Sequence, residues 1–221
     1  MTNQPNLVFI MSDDHAAHAI SAYGSRINQT PHIDRLANNG MRFDAAFCTN
    51  SICTPSRAAI LTGTYNHVNG ATTLDTPLDN SQWTFPQSLQ DAGYVTGIIG
   101  KWHLGHGPGA DPVGFDFWRI LPGQGHYDNP VMLEADGKVV ERAGYVTDLI
   151  TDDCIDFIEQ HKGRPFALFC HHKASHRTWN PAPRHFTLFD DVDIPQPDTF
   201  WDDLDGRAEV IKAVKMHMMD L

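Results

Sequence analysis

Runs of apolar residues mark three places where the chain is predicted to form buried β-strands. The runs cover residues 6–11, 94–100 and 165–170. Because each run is apolar at successive positions, we expect parallel strands covered on both faces, the first of them central in the sheet. Residues 145–161 instead repeat apolar positions at helical spacing, which predicts an amphipathic helix with a solvated acidic face.

Three shorter helices are predicted where a proline lies near the start and a glycine follows the end. They cover residues 30–40, 53–63 and 84–93. Asp136-Gly137 lies between two short apolar runs and predicts the turn of a β-hairpin. Helices that alternate with strands are typical of an α/β fold, so we expect a doubly wound, mostly parallel sheet flanked by helices.

The segments between these elements have less regular patterns. Residues 41–47 favour a further strand. Residues 65–80 are rich in Gly, Asn, Thr and Asp, which predicts a surface loop at the rim of a site. Residues 111–125 are rich in glycine, proline and aromatic residues, and we expect a packed loop there.

The last part of the chain combines prolines with one more helical pattern. The prolines of residues 181–197 predict an irregular segment, and residues 207–219 predict an amphipathic helix. The Met-His-Met-Met sequence at 216–219 is more typical of a core or partner-facing surface than of a metal site.

Length and charge narrow the classes of function. A chain of 221 residues can bury one substantial core and suits one domain. Its formal net charge of -11 argues against a nucleic-acid partner, and it contains no basic run. An anionic substrate is compatible with that charge, because local positive charge in a cleft outweighs a diffuse negative shell.

The location of the protein is predicted from its cysteines and its first apolar run. The four cysteines have neither zinc-site spacing nor a disulfide framework, so we expect free thiols and a reducing compartment. The first apolar run is interrupted after five residues, too soon for a signal peptide or a membrane span. We therefore expect a cytoplasmic protein with no membrane partner.

Two adjacent carboxylates, Asp13 and Asp14, follow the first predicted strand. In open α/β sheets, ligands gather at the carboxyl ends of the strands. Adjacent carboxylates repel each other unless a cation lies between them, and oxygen ligands suit Ca²⁺ or Mg²⁺. The pair therefore indicates a metal site, and the alternative is a helix N-cap with solvated acids.

Cationic and imidazole groups follow the other two predicted strands. Lys101 and His103 come after the second strand, and Lys173 and His176 come after the third. Lys101 and His103 are two residues apart, so in an extended segment they would point the same way. Their position at strand ends favours a shared site, and the alternative is that they are ordinary surface residues.

The segment Cys53-Thr54-Pro55-Ser56-Arg57 begins a predicted helix. The exposed amides of the first turn and the charge of Arg57 would make a positive pocket for an anion. A thiol in such a field is expected to be acidic and reactive. The alternative for Cys53 is a buried structural cysteine.

Four motifs in this order resemble the sulfatase family of the alkaline-phosphatase-like superfamily. They are Asp-Asp at 13–14, Cys-x-Pro-Ser-Arg at 53–57 followed by Leu-Thr-Gly, Gly-Lys-Trp-His-Leu-Gly at 100–105, and Lys-x-x-His at 173–176. The resemblance implies an alkaline-phosphatase-like fold. It also implies that Cys53 is oxidised to formylglycine by a separate maturation enzyme, and that the hydrated aldehyde is the nucleophile.

The resemblance assigns roles to the remaining motif residues. Asp13 and Asp14 would be ligands of Ca²⁺, with Mg²⁺ less expected, and the group formed from Cys53 would face the metal. The other roles follow the motifs: Arg57 would hold the formylglycine, Lys101 and His103 would support its hydroxyls, Lys173 would bind the sulfate, and His176 would meet the leaving oxygen.

The implied activity is hydrolysis of a sulfate ester, with a sulfated carbohydrate as the expected substrate. One alternative is a phosphonate or phosphate ester hydrolase of the same superfamily, and another is a module that binds without turnover. Members of the family continue for a further domain-sized stretch that completes the metal shell. We therefore expect residues 1–221 to be the amino-terminal part of the catalytic domain, with residues 181–221 leading toward a missing portion and the metal site under-coordinated.

Overall fold

The structure of the protein is a computed structural model that describes residues 4–214. Its strands are β1 Leu7–Met11, β2 Val95–Lys101, β3 Phe117–Leu121, β4 Val131–Glu134, β5 Val139–Glu141 and β6 Phe166–His171. Its α-helices are α1 Pro31–Asn39, α2 Cys53–Thr62, α3 Asn66–Asn69, α4 Phe85–Asp91, α5 Val146–His161 and α6 Glu209–Ala213.

The six strands form one sheet in the order β1-β6-β2-β3-β4-β5. The first four strands of that order are parallel neighbours, and β4 and β5 extend the sheet as an antiparallel hairpin. This confirms the predicted α/β fold with a mostly parallel sheet flanked by helices. The hairpin is also confirmed, with residues 135–137 as its turn.

Two cores lie on opposite faces of the sheet, because successive side chains of a strand point to opposite faces. On one face, Ile99 of β2 packs with Ile150 and Phe157 of α5. On the other face, Ile98 of β2 packs with Leu61 of α2. Both faces of the central strands are therefore apolar, which explains the continuous apolar runs of β2 and β6.

Strand β1 was predicted to be central, but it is an edge strand of the sheet that residues 4–214 form. It pairs with β6 and has no second partner strand among residues 4–214. Its side chains are largely exposed, and Ile10 retains 60% of its accessible surface. The apolar run resembles those of β2 and β6, and only the strand order shows that it lies at an edge.

Two further expectations were wrong in the segments between the main elements. Residues 41–47 form no strand, and Phe47 is 93% exposed. Strand β3 lies inside residues 111–125, which were predicted as a loop. Its central Arg119 interrupts the apolar pattern, and Arg119 forms ion pairs with Glu134 and Asp153.

The acidic face of α5 is not simply solvated, contrary to the prediction. The Asp153 carboxylate is buried and pairs with Arg119 at 2.7 Å and Arg142 at 2.9 Å. Asp153 therefore connects α5 to β3 and to the residue that follows β5. A helical pattern of acids and apolar residues does not show which acid will meet a cation from another element.

The chain divides into two compact units, Met1–Asn180 and Pro181–Leu221. The described part of the second unit contains a short 3-10 turn at Pro183–His185 and helix α6. Helix α6 covers only part of the predicted helix at 207–219, and the Met-His-Met-Met sequence at 216–219 lies outside the described residues. Across residues 4–214, no helix combines the length and apolar character needed to cross a membrane.

Gly100, near the carboxyl end of β2, is tightly packed against the neighbouring strand β6, and a substitution there tests this packing. Its φ is +104°, and a Cβ there would overlap the carbonyl oxygen of His171. We expect Gly100→Ala to lower the free energy of unfolding by about 3 kcal/mol, from backbone strain and overpacking together. Urea denaturation measures the change, with Gly163→Ala as control, because a Cβ at Gly163 meets nothing within 4 Å. Equal effects of the two substitutions would contradict this account.

Candidate active site

The carboxyl ends of β1, β6 and β2 lie side by side, because these strands are parallel neighbours. The backbone N–H of Asp13 donates to the Ala174 carbonyl at 3.0 Å, and that of His172 donates to Met11 at 2.8 Å. These bonds join the segments that follow β1 and β6. The carboxyl ends of these strands therefore bring together the polar clusters that follow the three apolar strands. This is the place where ligands bind in open α/β sheets.

Cys53 is the first residue of α2 and faces this cluster. Ile52 before it is extended, and Gly63 ends the helix in the left-handed conformation with φ 66°. The Cys53 Sγ atom donates to Asp13 Oδ1 at 3.5 Å, and Lys101 Nζ donates to Cys53 Sγ at 3.9 Å. The half-buried thiol therefore lies between the Asp13 carboxylate, which follows β1, and the Lys101 ammonium at the end of β2.

Asp13 is a buried carboxylate with two buried cationic partners. Its Oδ2 atom pairs with Lys101 Nζ and lies 3.4 Å from the Arg57 guanidinium. Burial acts to raise the pKa of Asp13, but the hydrogen bond and charge of Lys101 and the charge of Arg57 outweigh it and lower the pKa. Asp13 is therefore ionised in the folded protein at neutral pH.

The prediction of an acidic Cys53 thiol is wrong for this structure. Burial raises the pKa of Cys53; Lys101 opposes this effect, and the carboxylates of Asp13 and Asp14 add to it. The sequence showed the cationic groups and the helix start, but not that Asp13 would lie against the sulfur. The thiol is therefore protonated at neutral pH.

Arg57 is buried and contacts the ends of two strands. Its guanidinium donates to the backbone carbonyl of Lys101 at 2.6 Å and lies 3.4 Å from His171 Nδ1. Together with its ion pair to Asp13, these contacts fix Arg57 behind Cys53. Arg57 therefore holds the Asp13 carboxylate and the backbone of Lys101 in place from the buried side of the site.

The backbone at His103 is not extended, contrary to the prediction. Strand β2 ends at Lys101, and His103 has a positive φ of 54°, so the expected alternation along an extended segment is wrong. Burial, with the nearby charges of Lys101 and Arg57, lowers the pKa of His103 to about 4. Its Nδ1 atom is buried and has no hydrogen-bond partner within the described part of the chain. His103 thus presents a neutral ring with a free polar atom.

His176 and Asp14 complete the cluster on the side of β6. His176 Nε2 lies 3.7 Å from Asp14 Oδ2, and Asp14 keeps 59% of its side-chain surface exposed. Atoms of Asp13, Cys53 and His176 that could bind a metal all lie within 4.8 Å of one another. His176 was not among the metal ligands predicted from the motifs, which were Asp13, Asp14 and Cys53.

The donor set is compatible with a divalent cation. The Oδ2 atom of Asp13 is occupied by Lys101 and Arg57, whereas Oδ1 is directed at Cys53. The exposed carboxylate of Asp14 adds further oxygen atoms, and oxygen ligands suit hard cations. The residues therefore fit a metal held between β1 and the start of α2.

Two residues of the site, Gln124 and Tyr127, were missed by the sequence reasoning. Gln124 Oε1 accepts a hydrogen bond from Lys101 Nζ. The Tyr127 ring lies 4.8 Å from Lys173 Nζ, measured to its centroid. Both follow β3, so a prediction of that strand would have placed this segment at the same sheet edge.

Two clefts flank the cluster. One, of about 530 Å³, is lined on its basic side by Lys173, His176 and Arg177. The other, of about 340 Å³, is lined by His103 and by Leu74, Asp75 and Pro77. The loop predicted at 65–80 thus contributes residues to the cleft beside His103, and part of it, Asn66–Asn69, is helical.

Comparison with protein-family models gives a match to the model described as Sulfatase over residues 5–211. The chain is 46% identical to an N-acetylglucosamine-6-O-sulfatase of Bacteroides thetaiotaomicron, covering 97% of this chain and 38% of that protein. It is 32% identical to the N-acetylgalactosamine-6-sulfatase of Homo sapiens, covering 78% of this chain and 40% of that protein.

Among solved structures, the chain is similar to BT4656 in complex with its substrate, D-glucosamine-2-N,6-O-disulfate. The TM-score is 0.91 at 45% sequence identity, covering 97% of this chain and 43% of that one. The chain therefore spans about two-fifths of the length of the relatives it matches.

Proposed function

Because the chain belongs to the sulfatase family and has its alkaline-phosphatase-like fold, we propose that it carries the nucleophile of an enzyme that hydrolyses carbohydrate sulfate esters. The observation that carries this proposal is the position of Cys53 Sγ, 3.5 Å from Asp13 and 3.9 Å from Lys101. The proposed substrate is a 6-O-sulfated glucosamine, supported by the name of the relative at 46% identity and by the substrate in the solved structure at 45% identity.

We propose Ca²⁺ as the metal, held by Asp13, Asp14 and the formylglycine made from Cys53. A divalent cation at this position would stabilise the negative charge of the sulfate ester. The hydrate of the aldehyde would supply the nucleophilic oxygen. The support in the structure is the Oδ1 atom of Asp13, which is not paired with Lys101 or Arg57 and whose hydrogen-bond partner is the Cys53 thiol itself.

The remaining residues of the site provide charge and proton transfer. Negative charge grows on the leaving oxygen as a sulfate ester is cleaved, and preorganised cations stabilise it. Lys101, already in place next to Cys53, and Lys173, on the cleft shared with His176, would supply that charge, and His176 would meet the leaving oxygen. His103 is neutral at pH 7 and would accept a hydrogen bond from the nucleophilic hydroxyl through its free nitrogen.

Conversion of Cys53 to formylglycine is the first test, because the proposal has no nucleophile without it. The protein would be produced together with a formylglycine-generating maturation enzyme, alkylated with iodoacetamide and digested with trypsin. The peptide of residues 43–57 contains both Cys48 and Cys53. We expect Cys53 to lose its sulfur and two hydrogens and to gain one oxygen.

Cys48, in the same peptide, is the internal control. It is exposed and lies outside the motif, so it should remain a thiol and be alkylated. The aldehyde at Cys53 should react with a hydrazide probe, and protein made without the maturation enzyme should not. If mass spectrometry finds both cysteines alkylated after co-expression, the catalytic proposal is wrong.

A further inference from the structure

Two stacked tyrosines hold the segment that follows β6. The rings of Tyr127 and Tyr145 lie 5.9 Å apart between centroids, with an interplanar angle of 14°. Tyr127 donates its hydroxyl hydrogen to the carbonyl of His176 at 2.5 Å. Tyr145 donates to the carbonyl of Asn180 at 2.9 Å. The pair therefore anchors this segment at two points, one of them at a residue of the candidate site.

Tyr127 also contacts a second residue of the candidate site through its ring. Lys173 Nζ lies 4.8 Å from the ring centroid, which is within the range of a cation–π interaction. Lys173 otherwise donates to the carbonyl of Arg177 at 3.4 Å. One side chain thus contacts both Lys173 and the backbone of His176, three residues further along.

The position of Tyr127 is itself fixed by the surrounding structure. Its side chain is buried, with 5% of its surface exposed. Its carbonyl accepts a hydrogen bond from the N–H of Val146, the first residue of α5, at 2.7 Å. Burial also raises the pKa of Tyr127 to about 12, so its hydroxyl remains a donor at neutral pH. A buried ring on a fixed backbone is suited to orient the segment packed against it.

We propose that Tyr127 is a positioning residue, which sets His176 through its hydroxyl and Lys173 through its ring. This inference rests on the proposed function, in which Lys173 binds the sulfate and His176 meets the leaving oxygen. Because the hydroxyl and the ring contact different residues, their contributions can be separated. Loss of the hydroxyl should affect mainly the chemical step, and loss of the ring should also affect sulfate binding.

The test compares Tyr127→Phe and Tyr127→Leu with Tyr145→Phe as a matched control. Tyr145→Phe removes the same kind of hydrogen bond from the same segment, but at Asn180 rather than at His176. With 6-O-sulfated N-acetylglucosamine, we expect Tyr127→Phe to lower kcat about tenfold with KM nearly unchanged. Tyr127→Leu should also raise KM about tenfold, and Tyr145→Phe should change neither by more than about twofold.

Nuclear magnetic resonance gives a readout that does not depend on turnover. The imidazole signals of His176, assigned by their loss in His176→Asn, should shift in both Tyr127 variants and stay in place in Tyr145→Phe. The ring-current shift of the Lys173 side chain should persist in Tyr127→Phe and disappear in Tyr127→Leu. If Tyr127→Phe matches Tyr145→Phe in these spectra, Tyr127 is only structural and the inference is wrong. Absence of turnover in the unsubstituted protein would instead count against the proposed function, while the spectra still decide the role of Tyr127.

Discussion

Cys53→Ala is expected to lower kcat on 6-O-sulfated N-acetylglucosamine by at least about 10³-fold, because the variant has no nucleophile. In the proposed reaction only Cys53 can give the formylglycine at this position, where its Sγ atom lies between Asp13 and Lys101. The measurement is steady-state hydrolysis by matured protein, followed as release of inorganic sulfate.

The matched control is Cys48→Ala. Cys48 is exposed and lies on the same segment before α2, so its loss should leave kcat within about twofold of the unsubstituted protein. Circular dichroism and thermal unfolding would confirm that both variants fold. A Cys53→Ala protein that kept a tenth or more of the activity would exclude Cys53 as the source of the nucleophile.

Asp13→Asn is expected to lower the free energy of unfolding by about 3–5 kcal/mol, even without metal. The Asp13 carboxylate forms ion pairs with both Lys101 and Arg57, whose side chains are 0% and 4% exposed. Asparagine has nearly the same shape but no charge, so both buried cations would lose the carboxylate that pairs with them. Urea denaturation in the presence of a chelator measures this change.

Asp14→Asn is the matched control, because the Asp14 side chain is 59% exposed. Without metal, its substitution should change the free energy of unfolding by no more than about 0.5 kcal/mol. Both substitutions should weaken Ca²⁺ binding, measured by calorimetry. Equal stability losses in the two variants would contradict the role of Asp13 as the buried counter-charge.

The pH dependence of stability provides a second signature of Asp13. Its pKa in the folded protein lies below the ordinary value of 3.8, so the unfolded chain takes up the proton first as the pH falls. The stability from Asp13 is therefore present above about pH 4 and is lost as the pH falls through the folded pKa. Asp13→Asn should lack this part of the acid transition, and Asp14→Asn should keep it.

Much of the central fold was predictable from local pattern. The apolar runs of β2 and β6 matched the structure because both faces of these strands are covered by helices. Helix α4 was predicted from its local signals, and Thr84 and Gln87 form the capping box at its start. These features depend on neighbours within a few residues of the chain, so sequence is sufficient to detect them.

Several features depended on partners far away in the sequence. Strand β1 has the composition of a central strand, but within residues 4–214 it lies at an edge of the sheet with Ile10 exposed. Strand β3 was missed because Arg119 breaks its apolar pattern, and that charge is compensated by Asp153 from α5. The raised pKa of Cys53 also depends on residues distant in the sequence. Burial and the Asp13 carboxylate raise this pKa by more than the Lys101 charge lowers it.

The sequence by itself determined the chemistry of the site: the carboxylates, the oxidisable cysteine, the lysines and the imidazoles, each in a motif at the end of a strand or the start of a helix. Only the tertiary structure decided how these groups act on one another. It paired Asp13 with Lys101 and Arg57, left Oδ1 of Asp13 directed at Cys53, and placed Tyr127 against Lys173 and His176. The physical reason is that pKa values and charge compensation depend on distance and burial, which the order of strands in the sheet sets and the order of residues in the chain does not.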